Sequence, residues 1–273
     1  MSAHPQIGIV VDNTRALRRR LIEVRGLTKT YRTRDGDVPS LAPIDLEIDE
    51  GEFVAVVGPS GCGKSTLLKL AAGLISPTSG EIRIDGKPVR EPPDDVGIVF
   101  QSPVLLAWRN VLRNVMMPVE IRRLDRALHL ERAKKLLKTA GLDGFENKFP
   151  WQLSGGMQQR AAICRALVHD PKIVLMDEPF GALDAMTREH MNLELQRIHR
   201  ETGKTILFIT HSIPEAVFLA DRVVVMSSRP GTIAAIYPID LPRPRPLELM
   251  GEPSFGAMTQ KIRGHFHARG TLD

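Results

Sequence analysis

The segment Gly58-Pro59-Ser60-Gly61-Cys62-Gly63-Lys64-Ser65-Thr66 has the residue types and spacing G-x-x-x-x-G-K-[ST] of a phosphate-binding loop. Its glycines let backbone N–H groups converge on phosphate oxygens, and a helix opening at the end of the loop adds its positive dipole end. In that frame Lys64 offers a compact positive charge to the β- and γ-phosphates of a nucleotide, and the Ser65 hydroxyl is placed for Mg²⁺. Cys62 admits two readings. A helix N-terminus can lower a thiol pKa and make it redox-sensitive, or the residue is a small filler at a variable loop position.

A second set of chemical groups lies farther along. Ile173-Val174-Leu175-Met176 runs into Asp177-Glu178. A buried strand that ends in two carboxylates delivers charge to the C-terminal edge of a sheet, where ligands bind in α/β proteins. Asp177 suits the metal shell, and Glu178 can take a proton from, or orient, an attacking water. A strand also ends in acids when it merely emerges into solvent. His211 follows the strand expected over Thr205 to Thr210, which puts an imidazole at another strand end as a γ-phosphate contact; the alternative is a helix cap or a surface residue. His265 and His267 read as a solvated pair rather than metal ligands.

These groups need elements to hold them. Phe53-Val54-Ala55-Val56-Val57 is a continuous apolar run, expected for a strand buried on both faces, and it leads straight into the loop. Thr66 to Leu74 has helical spacing and stops at Gly73 and Ser76-Pro77. Val96 to Phe100, Ile173 to Met176, Thr205 to Ile209 and Arg222 to Met226 read as further strands. Helices are expected over Gly156 to Val168, Thr187 to Thr202 and Pro214 to Ala220. Such alternation predicts an α/β fold with a mostly parallel sheet covered on both faces. Leu21 to Val24 and Ile44 to Ile48 alternate apolar with polar residues, and Glu81 to Val89 turns at Asp85-Gly86, which gives an N-terminal antiparallel β region. From about Val111 to Leu142 the pattern is helical and highly charged, with Gly141 as its stop, and reads as an inserted lobe. The expected organisation is an extension over 1–20, a nucleotide-binding domain over 21–241 with the lobe at about 102–160, and a tail over 242–273 too short for another domain.

Composition bounds the rest. Of 273 residues 42% are hydrophobic and 25% charged, which excludes wholesale disorder. Two cysteines, Cys62 and Cys164, cannot form a disulfide framework, so a reducing compartment is expected. No apolar run approaches the ~18 residues of a membrane span. The first residues place a short apolar run before a basic cluster, the reverse of a signal peptide. The expectation is a soluble chain that meets a membrane through a partner. The net charge of +5 comes with only 5% aromatics and scattered arginines, so no nucleic-acid surface is expected. A mildly basic surface facing anionic lipid head groups fits better.

Leu153-Ser154-Gly155-Gly156-Met157-Gln158-Gln159-Arg160 resembles the signature motif of ATP-binding cassette (ABC) ATPases. A small hydroxyl and two glycines at a helix start leave donors aimed at a phosphate, which in this family belongs to the opposite subunit. The resemblance covers about Leu21 to Leu241 and implies a RecA-like P-loop NTPase core. Tyr31 matches the aromatic that stacks on adenine. Gln101 matches the Q-loop glutamine, which reaches Mg²⁺ and the attacking water. Gly181-Ala182-Leu183-Asp184 looks like the D-loop, with Asp184 crossing a dimer interface. By the same likeness Lys64 and Ser65 bind phosphate and Mg²⁺, Asp177 supports Mg²⁺, Glu178 is the catalytic base and His211 senses the γ-phosphate. The family implies a homodimer that closes on two MgATP and opens after hydrolysis.

A single cassette without fused membrane spans is similar to bacterial importers whose ATPase and permease are separate chains. That likeness implies a peripheral location on the cytoplasmic face of the inner membrane, a permease partner that inserts a short helix into the lobe after Gln101, and indirectly a substrate-binding protein. Phe100-Gln101-Ser102-Pro103-Val104-Leu105-Leu106-Ala107-Trp108-Arg109-Asn110-Val111, the Ser228-Arg229-Pro230-Gly231 turn and the Leu241-Pro242-Arg243-Pro244-Arg245 run resemble the nitrate/sulfonate/taurine importer group. That group often has Pro where Ala107 stands. Importers of pyrimidine precursors or riboflavin-type nutrients share the architecture, and an exporter with a separate permease has the same motif chemistry. Soluble ABC ATPases of DNA repair or translation usually have paired cassettes or a long coiled-coil insertion, which this chain lacks. A non-catalytic scaffold is expected to have lost Glu178 or His211. Removal of the first residues is expected to spare ATP hydrolysis.

Overall fold

A computed structural model describes residues 19–181 and 183–267. The extension before Arg19, with the expected indifference of hydrolysis to its removal, lies outside these residues, as do Ala182 and the side chain of His267.

The core is a six-stranded sheet in the order β10-β9-β3-β8-β7-β6. Its strands are β3 (Phe53–Val57), β6 (Val96–Val99), β7 (Ile173–Asp177), β8 (Thr205–Ile209), β9 (Arg222–Met226) and β10 (Ile233–Pro238). The first five are mutually parallel, and β10 runs antiparallel to β9 at the edge. Every residue of β3, β7, β8 and β9 is buried, as their unbroken apolar runs require. The strand period divides them cleanly. Phe53, Ala55 and Val57 face one core with Val174, Met176 and Phe208, while Val54 and Val56 face a second with Leu175, Leu207 and Ile209.

The second core is closed by α1 (Lys64–Ala71) and by a four-stranded antiparallel sheet in the order β2-β1-β4-β5. There β1 is Arg20–Thr33, β2 Gly36–Asp49, β4 Ser79–Ile84 and β5 Lys87–Pro88. The β1–β2 ribbon is far longer than the two short strands its alternation predicts. Register shifts between Val24 and Leu27 and between Leu27 and Thr30 interrupt the period that marks a strand in sequence. The β4–β5 hairpin turns where expected, with Asp85 and Gly86 both at positive φ (51° and 72°). α1 ends before Gly73, whose φ of +68° stops it.

The first core is closed by α5 (Gly155–Leu167), α6 (Ala185–Thr202), α7 (Ile213–Leu219) and α8 (Pro253–His267). The helical block expected over about Val111 to Leu142 is divided into three helices, α2 (Val111–Val115), α3 (Met117–Ile121) and α4 (Arg126–Thr139). Pro118 opens α3, Arg123 at φ 54° breaks the chain after it, and the Asp125 carboxylate caps α4. These helices have their own core, to which α5 contributes Ala161 and Cys164 from one side with Val168 just past its end, while Ile163, Ala166 and Leu167 on its other side pack on the sheet. One helix therefore belongs to both bodies.

The chain beyond Leu241 is seated on the first core. Phe255, Ile262 and Phe266 of α8 are buried there with Leu249. His265 packs edge-on to Tyr237, with ring centroids 6.4 Å apart, rather than standing free in solvent, and the side chain of His267, the other member of the expected pair, lies outside the described residues.

Candidate functional site

The C-terminal ends of β3, β7 and β8 lie side by side, and the loops leaving them carry the groups singled out above. From β3 the chain enters the phosphate loop. Gly58 and Gly63 are required by space: a Cβ on Gly58 meets Cys62 Sγ at 2.9 Å, and one on Gly63, at φ +100°, meets Leu41 Cδ2 at 2.5 Å. Ser60 and Gly61 stand exposed at the loop tip beside half-buried Pro59. Lys64 Nζ donates to the carbonyls of Gly58 (2.8 Å) and Pro59 (2.9 Å), which holds the ammonium under the curl of the loop.

Ser65 Oγ donates to Asp177 Oδ1 at 2.9 Å. A hydroxyl and a carboxylate thus converge beside the loop. Burial pushes Asp177 above the usual carboxylate range, the Ser65 hydrogen bond opposes it, and the neighbouring Glu178 charge adds to the rise. An oxygen pair of this kind suits Mg²⁺, which keeps water and substrate phosphate oxygens as its remaining ligands. Among the described residues there is no group of three or more His, Cys, Asp or Glu that could hold a metal ion.

Glu178 sits on a backbone held at φ 46°, in the left-handed region, with its N–H donating to the Ile209 carbonyl. This strained turn at the strand end is characteristic of a site residue. Its Oε2 accepts from Gln101 Nε2 at 3.3 Å and lies 3.2 Å from His211 Nδ1. Gln101, Glu178 and His211 come from the ends of three strands, β6, β7 and β8, and meet at one carboxylate oxygen. Thr66 Oγ1 lies 3.1 Å from Ser40 Oγ and 3.3 Å from Tyr31 Oη, which ties the antiparallel sheet to the start of α1. Tyr31 is half-buried, with Lys29 Nζ 5.3 Å from its ring centre.

Ser154, Gly155, Gly156 and Asp184 are arranged differently. Ser154 Oγ accepts from the Met157 N–H as the N-cap of α5, and Asp184 does the same for α6 through Thr187. That backbone donor holds Asp184 below the usual carboxylate range. Ser154, Gly155 and Asp184 are exposed, and no hydrogen bond joins them to the phosphate loop. A Cβ on Gly156 would crowd Leu183 at 3.1 Å, so the two segments are packed against each other.

Cys62 is 1% exposed, and burial raises its thiol pKa against the opposing pull of Lys64. Of its two readings the small filler is the one this environment favours, since reactivity needs an accessible, lowered thiol.

Several supporting residues escaped the reading of the sequence. Gln159 Nε2 on α5 donates to the Phe100 carbonyl at 3.0 Å, and Arg165 donates to the carbonyls of Pro103 and Val104 at 2.8 and 2.6 Å. Together they bracket Gln101 and hold Val104 at φ 47°, costly for a β-branched residue. The available signal was two polar residues on the packed side of a helix. Gly231 backs the phosphate loop so closely that a Cβ there would lie 1.8 Å from the Cys62 carbonyl.

A P-loop nucleotide hydrolase is the class this edge of the sheet defines. The family profile described as ABC transporter matches residues 41–181. The chain is 52% identical over 224 residues to an uncharacterized ABC transporter ATP-binding protein of Methanocaldococcus jannaschii, covering 82% of this chain and 84% of that one. It is 47% identical over 213 residues to a taurine import ATP-binding protein of Yersinia pestis, covering 78% and 82%. A solved ATP-binding cassette, dimeric in a post-hydrolysis state with ADP and Pi, superposes with a TM-score of 0.73 at 35% identity over 81% of this chain and all of that one. The chain belongs to the ABC transporter family, as an ATP-binding, ATP-hydrolysing cassette of importer-like type.

Proposed function

We propose that this cassette is the ATPase subunit of an importer, that it dimerises around two MgATP and drives a separate permease, and that its cargo is a small nitrate-, sulfonate- or taurine-like substrate. The observation that carries the catalytic part is the meeting of Gln101 and His211 on Glu178 Oε2, next to the Ser65–Asp177 pair. Lys64 and the loop N–H groups bind the β- and γ-phosphates, and Tyr31 supports the adenine. Ser65, Asp177 and Gln101 hold Mg²⁺, which when bound offsets phosphate charge. Glu178 accepts a proton as water adds to the γ-phosphorus and the bond to the bridging oxygen breaks; His211 steadies the γ-phosphate.

Ser154, Gly155, Gly156 and Asp184 act on the nucleotide of the opposite subunit. The exposure of Ser154, Gly155 and Asp184 supports this, as does the dimeric state of the related cassette. Val104, Trp108, Ile121, Leu128 and Trp151 are exposed apolar residues of the lobe, and Trp108 is 73% exposed. Such a surface suits a permease helix. The membrane-spanning part belongs to a separate permease and this subunit sits peripherally on the cytoplasmic face, a reading supported by the likeness to a taurine import ATP-binding protein. Among the described residues no helix is long and apolar enough to cross a membrane. The likeness to the taurine import subunit supports the cargo class and, with it, a substrate-binding protein upstream.

Glu178→Gln tests the mechanism. The expected variant binds ATP, loses turnover by at least about 10²-fold and accumulates as a dimer in MgATP by light scattering. Normal turnover, or a monomer throughout, would sink this account.

A further inference from the structure

The last described segment of the chain bears on the site through α7. That helix has seven residues, so about 10 Å separates its ends, and His211 stands two positions before it. Whatever fixes α7 fixes the backbone from which His211 projects. A helix leaves its last four carbonyls without partners of its own. Here the carbonyls of residues 217–220 are all taken up from the segment after Leu241. Arg245 Nη1 reaches Val217 (2.9 Å), Phe218 (3.1 Å) and Ala220 (2.8 Å), and Arg243 Nη2 donates to Leu219.

Arg245 is 1% exposed, the largest side chain so completely enclosed among the described residues. Its remaining donors go to the carbonyls of Ile239 and Leu241. Its backbone is pinned to α6: the N–H donates to Gln196 Oε1, and Gln196 Nε2 donates back to its carbonyl at 2.8 Å. None of its hydrogen bonds goes to a carboxylate. The guanidinium is balanced instead by carbonyl dipoles at the negative end of a helix. At the other end of α7, Arg263 and Phe266 of α8 line a cavity of about 260 Å³ together with Gly58, Pro59 and His211. The same C-terminal segment therefore meets α7 at both ends.

We infer that Arg245 is a positioning residue for His211, and that the segment from Arg243 to Phe266 is a clamp that sets where the imidazole stands over the nucleotide. The inference rests on His211 acting at the γ-phosphate, as proposed above. Without the fork of five donors α7 is held by fewer carbonyl bonds and shifts, and the imidazole leaves its place beside Glu178. Lysine keeps the charge but not the planar fork, so Arg245→Lys removes the geometry alone.

The test measures ATP hydrolysis and ¹³C-histidine NMR on the full chain for wild type, Arg245→Lys, Arg243→Gln and His211→Ala, each checked for a cooperative melt. Arg243→Gln is the milder variant, should Arg245→Lys not fold. The expected result is a kcat about tenfold lower for Arg245→Lys with the KM for ATP within twofold, and a His211 resonance, assigned by its loss in His211→Ala, that moves while that of distant His129 does not. A His211 resonance that stays in place in the folded variants, or a loss that falls on KM alone, would overturn the clamp. Normal turnover by His211→Ala would instead overturn the role given to His211 itself, so the two failures are told apart.

Discussion

The phosphate edge of the sheet and the helical lobe treat their functional residues in opposite ways. At the phosphate edge Lys64, Ser65, Asp177, Glu178, Gln101 and His211 are held by one another or by the loop around them, at distances of 2.8–3.3 Å. In the lobe Ser154 caps only its own helix, and Trp108, Ile121, Leu128 and Trp151 are left to solvent. The first region is a site assembled within one chain. The second consists of surfaces, and under the proposed function another chain meets them. α5 joins the two, since the helix that Ser154 opens also brackets Gln101 through Gln159 and Arg165.

That contrast breaks most sharply in a mixing experiment. Lys64→Ala disables the half that is complete within the chain, and Ser154→Arg disables the half that faces outward. Each alone is expected to lower turnover by about 10²-fold or more. When the two variant chains are combined, a mixed dimer carries one site with an intact Lys64 from one subunit and an intact Ser154 from the other. Turnover should return to a sizeable fraction of the wild-type rate. A mixture as inactive as its parts would mean that Ser154 works within its own chain, and the comparison would fail.

How much of this was legible follows from where each signal resides. β3 and β8 were readable to the residue because a strand buried on both faces is an unbroken apolar run. The phosphate loop and the Asp177-Glu178 pair were readable because their chemistry is local in sequence. β10 was not, since it is a half-buried edge strand whose alanines carry little pattern. α8 was missed and its segment read only as a tail: Phe255, Met258, Ile262 and Phe266 recur at helical spacing, but Gly256 and Gly264 dilute the pattern. Arg245 was out of reach. An arginine after prolines reads as solvated, because lone buried charges are rare and its partners are backbone carbonyls that have no identity in the sequence.

The exposed apolar face of the lobe gives a smaller effect on the isolated chain. Trp108→Ala with Leu128→Ala is expected to change unfolding free energy by no more than about 0.5 kcal/mol, as for surface sites, and to leave soluble ATP turnover unchanged. In vesicles with the permease, coupled hydrolysis should fall severalfold. A pair of substitutions that weakens the isolated chain instead would mean that these residues complete the lobe's own core.

His169 tests the seam where the two regions join. It follows α5, between Arg122 of the lobe and Lys204 of the core, and burial together with those charges pushes its pKa down to about 4. The imidazole is therefore neutral in the folded chain, while the unfolded chain takes up the proton near pH 6.5. Between these values the unfolded state binds more protons, so this group's contribution is complete above pH 6.5 and is lost as the pH falls toward 4. Allowing for solvent screening of a partly exposed group, the loss is about 1–2 kcal/mol. His169→Gln, which cannot take up the proton in either state, should flatten the acid limb by that amount in urea unfolding at pH 7.5, 6 and 5. A difference between wild type and variant that stays constant with pH would mean that the seam admits water and a protonated imidazole. Lobe and core would then be looser against each other than their shared helix implies.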